Sequence, residues 1–304
     1  MNYWNQNLDQ QNDTQPARDS ERSPHTLDHE KSSLSGTAEG PIGVFDSGAG
    51  GFTILSALRE ELPGENYIYF GDTAHCPYGT RSDSEIVELS IQVCGFLVEQ
   101  GVKLIVVACN TASQAALNSL RATFTSIRFV GVVPAVKPAA RATKKGRIGI
   151  AATNQAAKAI YLRQLIDEFA GGIQAFAVGC PELVTLVEQG EIDGPDVEAS
   201  VEQALYPILK EDVDVIVLGC THFPALRPVI ERVTHNKIHI IDSGSAVARR
   251  THYVLDTEGL IHPTHSSGAQ RGNLKVWCSG DAGALSDVAQ KLLGYSIKVH
   301  QARY

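Results

Sequence analysis

The chain has 304 residues, 43% hydrophobic and 20% charged, which suits one large or two ordinary globular domains with a sizeable core. Its 26 Lys and Arg against 34 Asp and Glu leave a formal net charge of -8, which argues against a general nucleic-acid or anionic-membrane binder. No stretch approaches the roughly 20 apolar residues of a membrane span, and the N-terminus lacks an apolar signal core, so a cytoplasmic protein is expected. Residues 1–39 are rich in Gln, Asn, Asp, Ser and Glu and read as a disordered extension; docking on the body through Tyr3 and Trp4 is the alternative. Order is expected from Pro41. Ile42-Gly43-Val44-Phe45 is a short apolar run, hence a buried strand, and ends in the glycine-rich turn Asp46-Ser47-Gly48-Ala49-Gly50-Gly51 before a helix near Thr53–Glu61. Tyr67–Phe70 is a second strand. Ser82 to Gln100 reads as a helix, with Ser82 and Glu85 as a capping box and Ile86, Leu89, Val93 and Leu97 on one face. Strands are then predicted at Leu104–Ala108, Arg128–Val133, Ile148–Ala152, Ala175–Val178, Val215–Leu218, Ile238–Ile241 and Leu274–Cys278, with helices between them and a last helix near Ala282–Leu293. Alternation of helices with apolar, uncharged strands indicates an α/β fold of mainly parallel sheets covered on both faces.

An internal repeat refines this. Ile42-Gly43-Val44-Phe45-Asp46-Ser47 resembles Ile148-Gly149-Ile150-Ala151-Ala152-Thr153, and Val102-Lys103-Leu104-Ile105-Val106-Val107-Ala108-Cys109 resembles Val213-Asp214-Val215-Ile216-Val217-Leu218-Gly219-Cys220. The paired segments are separated by similar lengths of chain. Two pseudo-symmetric, doubly wound domains with the active site in the cleft between them are expected: residues 40–133 with 246–304, and residues 134–245.

Six cysteines are present, none in a C-x-x-C pair, so neither a zinc site nor a thioredoxin-like motif is indicated. Cys76, Cys94 and Cys278 read as packing residues and Cys180 as inert. Cys109 and Cys220 differ, because each ends a repeated strand and is followed by a polar pair, Asn110-Thr111 and Thr221-His222. Ligands bind beyond the carboxyl ends of parallel strands, and a following helix N-terminus favours a thiolate and a substrate carboxylate. Two facing domains would set the thiols on opposite sides of one cleft. That suits racemisation at a Cα carbon, where one base removes a proton from one face and the other returns one to the opposite face. Asp46 and Ser47 border the same cleft; Ser47 and the glycine-rich backbone can donate to a carboxylate, while Asp46 can accept from an ammonium group or assist proton transfer. Tyr78 and Gly79 can cap a carboxylate or form a plain turn. His222 can polarise the adjacent thiol, and Glu182, after another second-domain strand, can bind an ammonium group. Asp242-Ser243-Gly244 reads as a turn or helix cap.

These residues resemble the glutamate racemases of bacterial cell-wall synthesis. The matching motifs are Val44-Phe45-Asp46-Ser47-Gly48-x-Gly50-Gly51, Pro77-Tyr78-Gly79, Val106-Val107-Ala108-Cys109-Asn110-Thr111-Ala112-Ser113, Gly131-Val132-Val133-Pro134-Ala135 and Val217-Leu218-Gly219-Cys220-Thr221-His222-Phe223-Pro224. Arg249-Arg250-Thr251 and Lys137-Pro138-Ala139-Ala140-Arg141 further resemble the proteobacterial branch. The resemblance implies interconversion of L- and D-glutamate for peptidoglycan without cofactor or metal, with Cys109 acting on the D-enantiomer and Cys220 on the L-enantiomer. It also implies substrate or auxiliary positions at Asp46, Ser47, Tyr78, Gly79, Asn110, Thr111, Thr153, Glu182, Thr221 and His222. The family commonly carries a threonine where Ala156 stands here. The N-terminal extension resembles a branch whose members can need UDP-N-acetylmuramoyl-L-alanine as activator. A homodimer is the expected assembly.

Other two-thiol readings are an aspartate or hydantoin racemase, a maleate isomerase or a decarboxylase; the Pro-Tyr-Gly and Cys-Thr-His-Phe-Pro contexts favour glutamate. A two-lobed amino-acid-binding protein has no use for two matched cysteines. A thiol hydrolase built on Cys220 and His222 lacks an obvious oxyanion hole.

Overall fold

The computed structural model describes residues 36–263 and 271–302. The proposed docking of Tyr3 and Trp4 lies outside them, and of the expected extension only residues 36–39 lie within, where they form a turn. The first half runs β1 (Ile42–Asp46), α1 (Phe52–Glu61), β2 (Tyr67–Gly71), α2 (Asp83–Glu99), β3 (Leu104–Val107), α3 (Asn110–Thr123) and β4 (Arg128–Gly131). The second runs α4 (Val136–Ala142), β5 (Arg147–Ala152), α5 (Asn154–Lys158), α6 (Ile160–Phe169), β6 (Gln174–Gly179), α7 (Pro181–Glu188), α8 (Pro195–Leu209), β7 (Val215–Leu218), α9 (Arg227–Val233) and β8 (His239–Ile241). α10 (Gly244–Thr257), β9 (Leu274–Cys278), α11 (Ala282–Leu293) and β10 (Val299–Gln301) follow.

The strands form two sheets, ordered β10-β9-β2-β1-β3-β4 and β6-β5-β7-β8, with every pairing parallel. The repeat is visible here as topology. The block β2-β1-β3-β4 and the block β6-β5-β7-β8 have the same order, and β1 pairs β3 from Ile42↔Leu104 as β5 pairs β7 from Ile148↔Val215. β9 and β10 extend the first sheet beyond β2.

Period-two alternation supplies both faces of each sheet with apolar side chains. Ile42, Val44, Leu104 and Val106 pack with residues of α1, α10 and α11, while Phe45, Ile105 and Val107 pack with α2 and α3. In the second sheet Ile216 and Leu218 pack with α7, α8 and α9, and Ile148, Ile150, Val215 and Val217 with α4 and α6. The predicted capping box starts α2: the Ser82 hydroxyl accepts from Glu85 N–H, and the Glu85 carboxylate from Ser82 N–H at 3.0 Å. Asp242-Ser243-Gly244 is a turn, closed by Gly244 N–H donating to Asp242 Oδ1 at 2.8 Å.

Candidate active site

In a parallel sheet of this order the chain leaves β1 and β3 in opposite directions, so a crevice opens beyond their carboxyl ends. Asp46, Ser47 and Cys109 emerge at that point in the first sheet; Thr153, Cys220, Thr221 and His222 emerge at the equivalent point in the second. The two crevices share one cavity of about 10 Å³. Cys109 and Cys220 both line it, with Ser47, Tyr78, Gly79, Asn110, Thr111, Thr153, Thr221 and His222. A roomier cavity of about 210 Å³ reaches Asn110, Cys220 and Thr221 from the side of α1 and α10.

The two thiols have different neighbours. Cys109 is the N-cap of α3: its sulfur accepts from Ala112 N–H at 3.4 Å and its thiol donates to Ser47 Oγ at 3.7 Å. Burial and the nearby Asp46 carboxylate push its pKa up to about 12, against the pull of the hydrogen bonds with Ala112 and Ser47. Cys220 Sγ lies 3.5 Å from His222 Nδ1, and His222 Nε2 lies 2.5 Å from Glu188 Oε1. Burial alone would lower the pKa of His222, but the sulfur of Cys220 and the Glu188 carboxylate hold it well above its ordinary value. Burial would likewise raise Glu188, and His222 and Ala49 N–H bring it below the ordinary carboxylate value. Glu188 thus holds the imidazole ring that faces the second thiol, as a carboxylate does for a functional histidine elsewhere.

Asp46 is buried at the seam. Its Oδ1 accepts from Gly48 N–H and its Oδ2 from the Thr221 hydroxyl, each at 3.0 Å. Burial raises its pKa, partly offset by His222. Thr53 donates from α1 to the Thr221 carbonyl at 2.9 Å, and Thr111 and Thr153 hydroxyls meet at 3.1 Å across the cleft. Tyr78 lines the cavity with its hydroxyl held by Asp72, donating to Oδ2 at 2.6 Å. Gly79 packs on Thr153, whose Oγ1 accepts from Ala156 N–H at 3.2 Å. Asn110 Oδ1 is buried with no hydrogen-bond partner, which leaves an acceptor facing the site.

Two glycines are required by close approach. A Cβ on Gly50 would lie 2.5 Å from His222 Nδ1, and one on Gly48 would meet the Glu188 carboxylate and lie 2.9 Å from Cys76 Sγ. The glycine-rich turn after β1 is therefore a floor for groups supplied by the other lobe.

One expected site residue is not brought in. Glu182 is exposed in the first turn of α7 and does not line the cavity. The reason is topological: β6, which delivers it, is the edge strand, separated by β5 from the thiol-bearing β7. The carboxylate that reaches the site is Glu188, at the far end of the same helix. Sequence reasoning missed it because its partners, Ala49 at 2.7 Å and His222, are distant in the chain.

Two like α/β lobes with a cysteine from each facing one cavity define the class of protein. The sequence matches Asp/Glu/hydantoin racemase over residues 52–251, and the chain belongs to that family. Among its relatives are glutamate racemases of Herpetosiphon aurantiacus, 44% identical over 83% of this chain and 97% of the relative, and of Pseudomonas aeruginosa, 39% identical over 83% and 92%. The solved structure of Escherichia coli glutamate racemase with L-glutamate and the activator UDP-MurNAc-ala is similar at a TM-score of 0.74 and 35% identity, covering 86% of this chain and 97% of that one.

Proposed function

We propose that this protein interconverts L- and D-glutamate by proton transfer between Cys109 and Cys220, supplying D-glutamate for peptidoglycan. The observation that carries the reading is the delivery of both thiols to one cavity from equivalent points of a repeated fold. On L-glutamate the Cys220 thiolate takes the Cα proton and the Cys109 thiol gives its own to the opposite face. The pair then stands as Cys220 thiol and Cys109 thiolate, ready for the reverse reaction or for proton exchange with water. The His222–Glu188 pair stabilises negative charge at Cys220, Asp46 and Ser47 serve the Cys109 side, and the bare Asn110 oxygen accepts from the substrate ammonium group. Thr111, Thr153, Thr221 and the Gly79 backbone complete the binding wall.

The cavity between the thiols, about 10 Å³, holds one water at most, and admitting an amino acid requires it to widen. The division into residues 40–133 with 246–304 and residues 134–245 is supported by sheet membership, since β1–β4, β9 and β10 share one sheet and β5–β8 the other. UDP-N-acetylmuramoyl-L-alanine as activator, a homodimer and a cytoplasmic setting belong to the same reading. No helix among the described residues is long and apolar enough to cross a membrane.

Circular dichroism on pure L- and pure D-glutamate in D₂O, with and without the muramoyl nucleotide, tests it. Optical signal should decay from both sides, with deuterium appearing at Cα. Cys109→Ser and Cys220→Ser should each lower turnover by at least about 10²–10⁴-fold. Near-normal turnover in either variant rules out the two-thiol mechanism.

A further inference from the structure

Cys76 has no part in the proton transfer just described, yet it is not simply packed. It lies in the loop between β2 and α2, half-buried, with its sulfur against both His222 and Glu188. One donor atom from each of Cys76, Glu188 and His222 falls within 4.8 Å of the other two. The three residues come from three separate segments, and the absent Cβ of Gly48 gives the sulfur and the carboxylate room to converge.

We propose that Cys76, Glu188 and His222 form an inhibitory binding site for a borderline-soft divalent cation, of which zinc is the type. Tetrahedral zinc takes sulfur at about 2.3 Å and nitrogen or oxygen at about 2.0–2.2 Å, so its ligand atoms sit roughly 3.3–3.8 Å apart. In the existing triangle the His222–Glu188 edge, 2.5 Å, has to open by about one ångström, and no edge exceeds 4.8 Å. A thiolate with an imidazole selects zinc over magnesium or calcium, which take oxygen. Three protein ligands leave a fourth position for water, and the partial exposure of Cys76 and Glu188 gives the ion a way in.

Binding exchanges protons for metal. The Cys76 thiol releases its proton as the sulfur–zinc bond forms, and the proton shared by His222 and Glu188 leaves as their nitrogen and oxygen take the ion. His222 then no longer serves Cys220, and racemisation stops while the metal is bound. The inhibition rests on the function proposed above; the binding does not.

The test titrates Zn²⁺ into the purified full chain and its Cys76→Ser variant, using a phosphine reductant that does not compete for metal. Co²⁺ serves as the spectroscopic probe. The wild type should take one Co²⁺ with a thiolate-to-cobalt charge-transfer band, displaced by Zn²⁺, and lose racemase activity in parallel, with recovery on chelation. Cys76→Ser should keep basal activity and melting temperature, lose the band, and need more than about tenfold more Zn²⁺ for half-inhibition. Cys76→Ala repeats the comparison should the serine variant fold poorly. Equal zinc sensitivity in wild type and variant would place the metal on Cys109 or Cys220 and overturn the proposal, as would the lack of any thiolate band in the wild type. A wild type that binds Co²⁺ through Cys76 but never racemises glutamate would refute the function and leave the metal site standing.

Discussion

Cys109 and Cys220 are the same residue in equivalent places, and their neighbours make them chemically unlike. One thiol sits beside a buried carboxyl and a serine; the other faces an imidazole held by Glu188. Removing the carboxylate leaves His222 without the partner that orients and charges it. Glu188→Gln is therefore expected to lower kcat/KM by about 10–100-fold. Because the two enantiomers are mirror images their equilibrium constant is one, so kcat/KM must fall by the same factor in both directions; the unequal surroundings show only in kcat and KM taken separately. Polarimetry on both enantiomers checks this, and unchanged kcat/KM would remove Glu188 from the mechanism. The same pair carries a pH signature. Glu188 is held below 4.5 and His222 well above 6.5 in the folded chain. Its stabilisation is complete between those ordinary values, is lost as pH falls through the lowered Glu188 pKa, and is lost again as pH rises through the raised His222 pKa. The melting-temperature gap between wild type and Glu188→Gln should be widest in that window and narrow at both ends.

The turn after β1 is the element on which the site converges. Its backbone donates to Glu188 at Ala49 and to Asp46 at Gly48, and Tyr69 donates to the Gly48 carbonyl at 2.5 Å. His222 lies on the bare face of Gly50. A methyl group there meets a buried ring that has nowhere to swing, so Gly50→Ala should cost about 1–3 kcal/mol of stability and most of the activity. Thermal melts and turnover measured together check it, and an active variant of normal stability would show that the ring can move. The helices are legible from their caps and apolar faces: α2 begins at its capping box, and α11 spans the predicted Ala282–Leu293. β10 is not. Val299-His300-Gln301 is a short, half-exposed run at a sheet edge and carries no apolar signal.

At the scale of the whole molecule the two ends of the first sheet do different work. The carboxyl end holds the cavity; the amino end is locked by an ion pair between Lys103 and Glu65, 2.5 Å apart with both side chains fully buried. Lys103 also donates to the Ala38 carbonyl and Glu65 accepts from His262 N–H, each at 2.7 Å, so the pair ties the turn at residues 36–39 and the segment after α10 to β2 and β3. Lys103→Met strands a buried carboxylate and should destabilise the protein by about 3–5 kcal/mol in urea unfolding. Little effect on KM is expected, since the site lies at the opposite end of the strands. A loss under about 1 kcal/mol would show that water reaches Glu65.

The chain sequence by itself determined the two thiols, the duplicated α/β plan and the family. Apolar strand runs, the spacing of caps and the recurrence of a cysteine after a repeated strand are local patterns, set by residues adjacent in the chain. Only the tertiary structure decided which carboxylate meets the His222 ring beside the second thiol and where Cys76 lies. Glu182 and Glu188 share one helix, and nothing local separates them; strand order puts the first outside the cavity, and α7 carries the second across to Ala49 and His222. Cys76 reads as packing from its neighbours in sequence because its partners, at positions 188 and 222, are distant in the chain and meet it only in the folded structure, beside the glycine-rich turn.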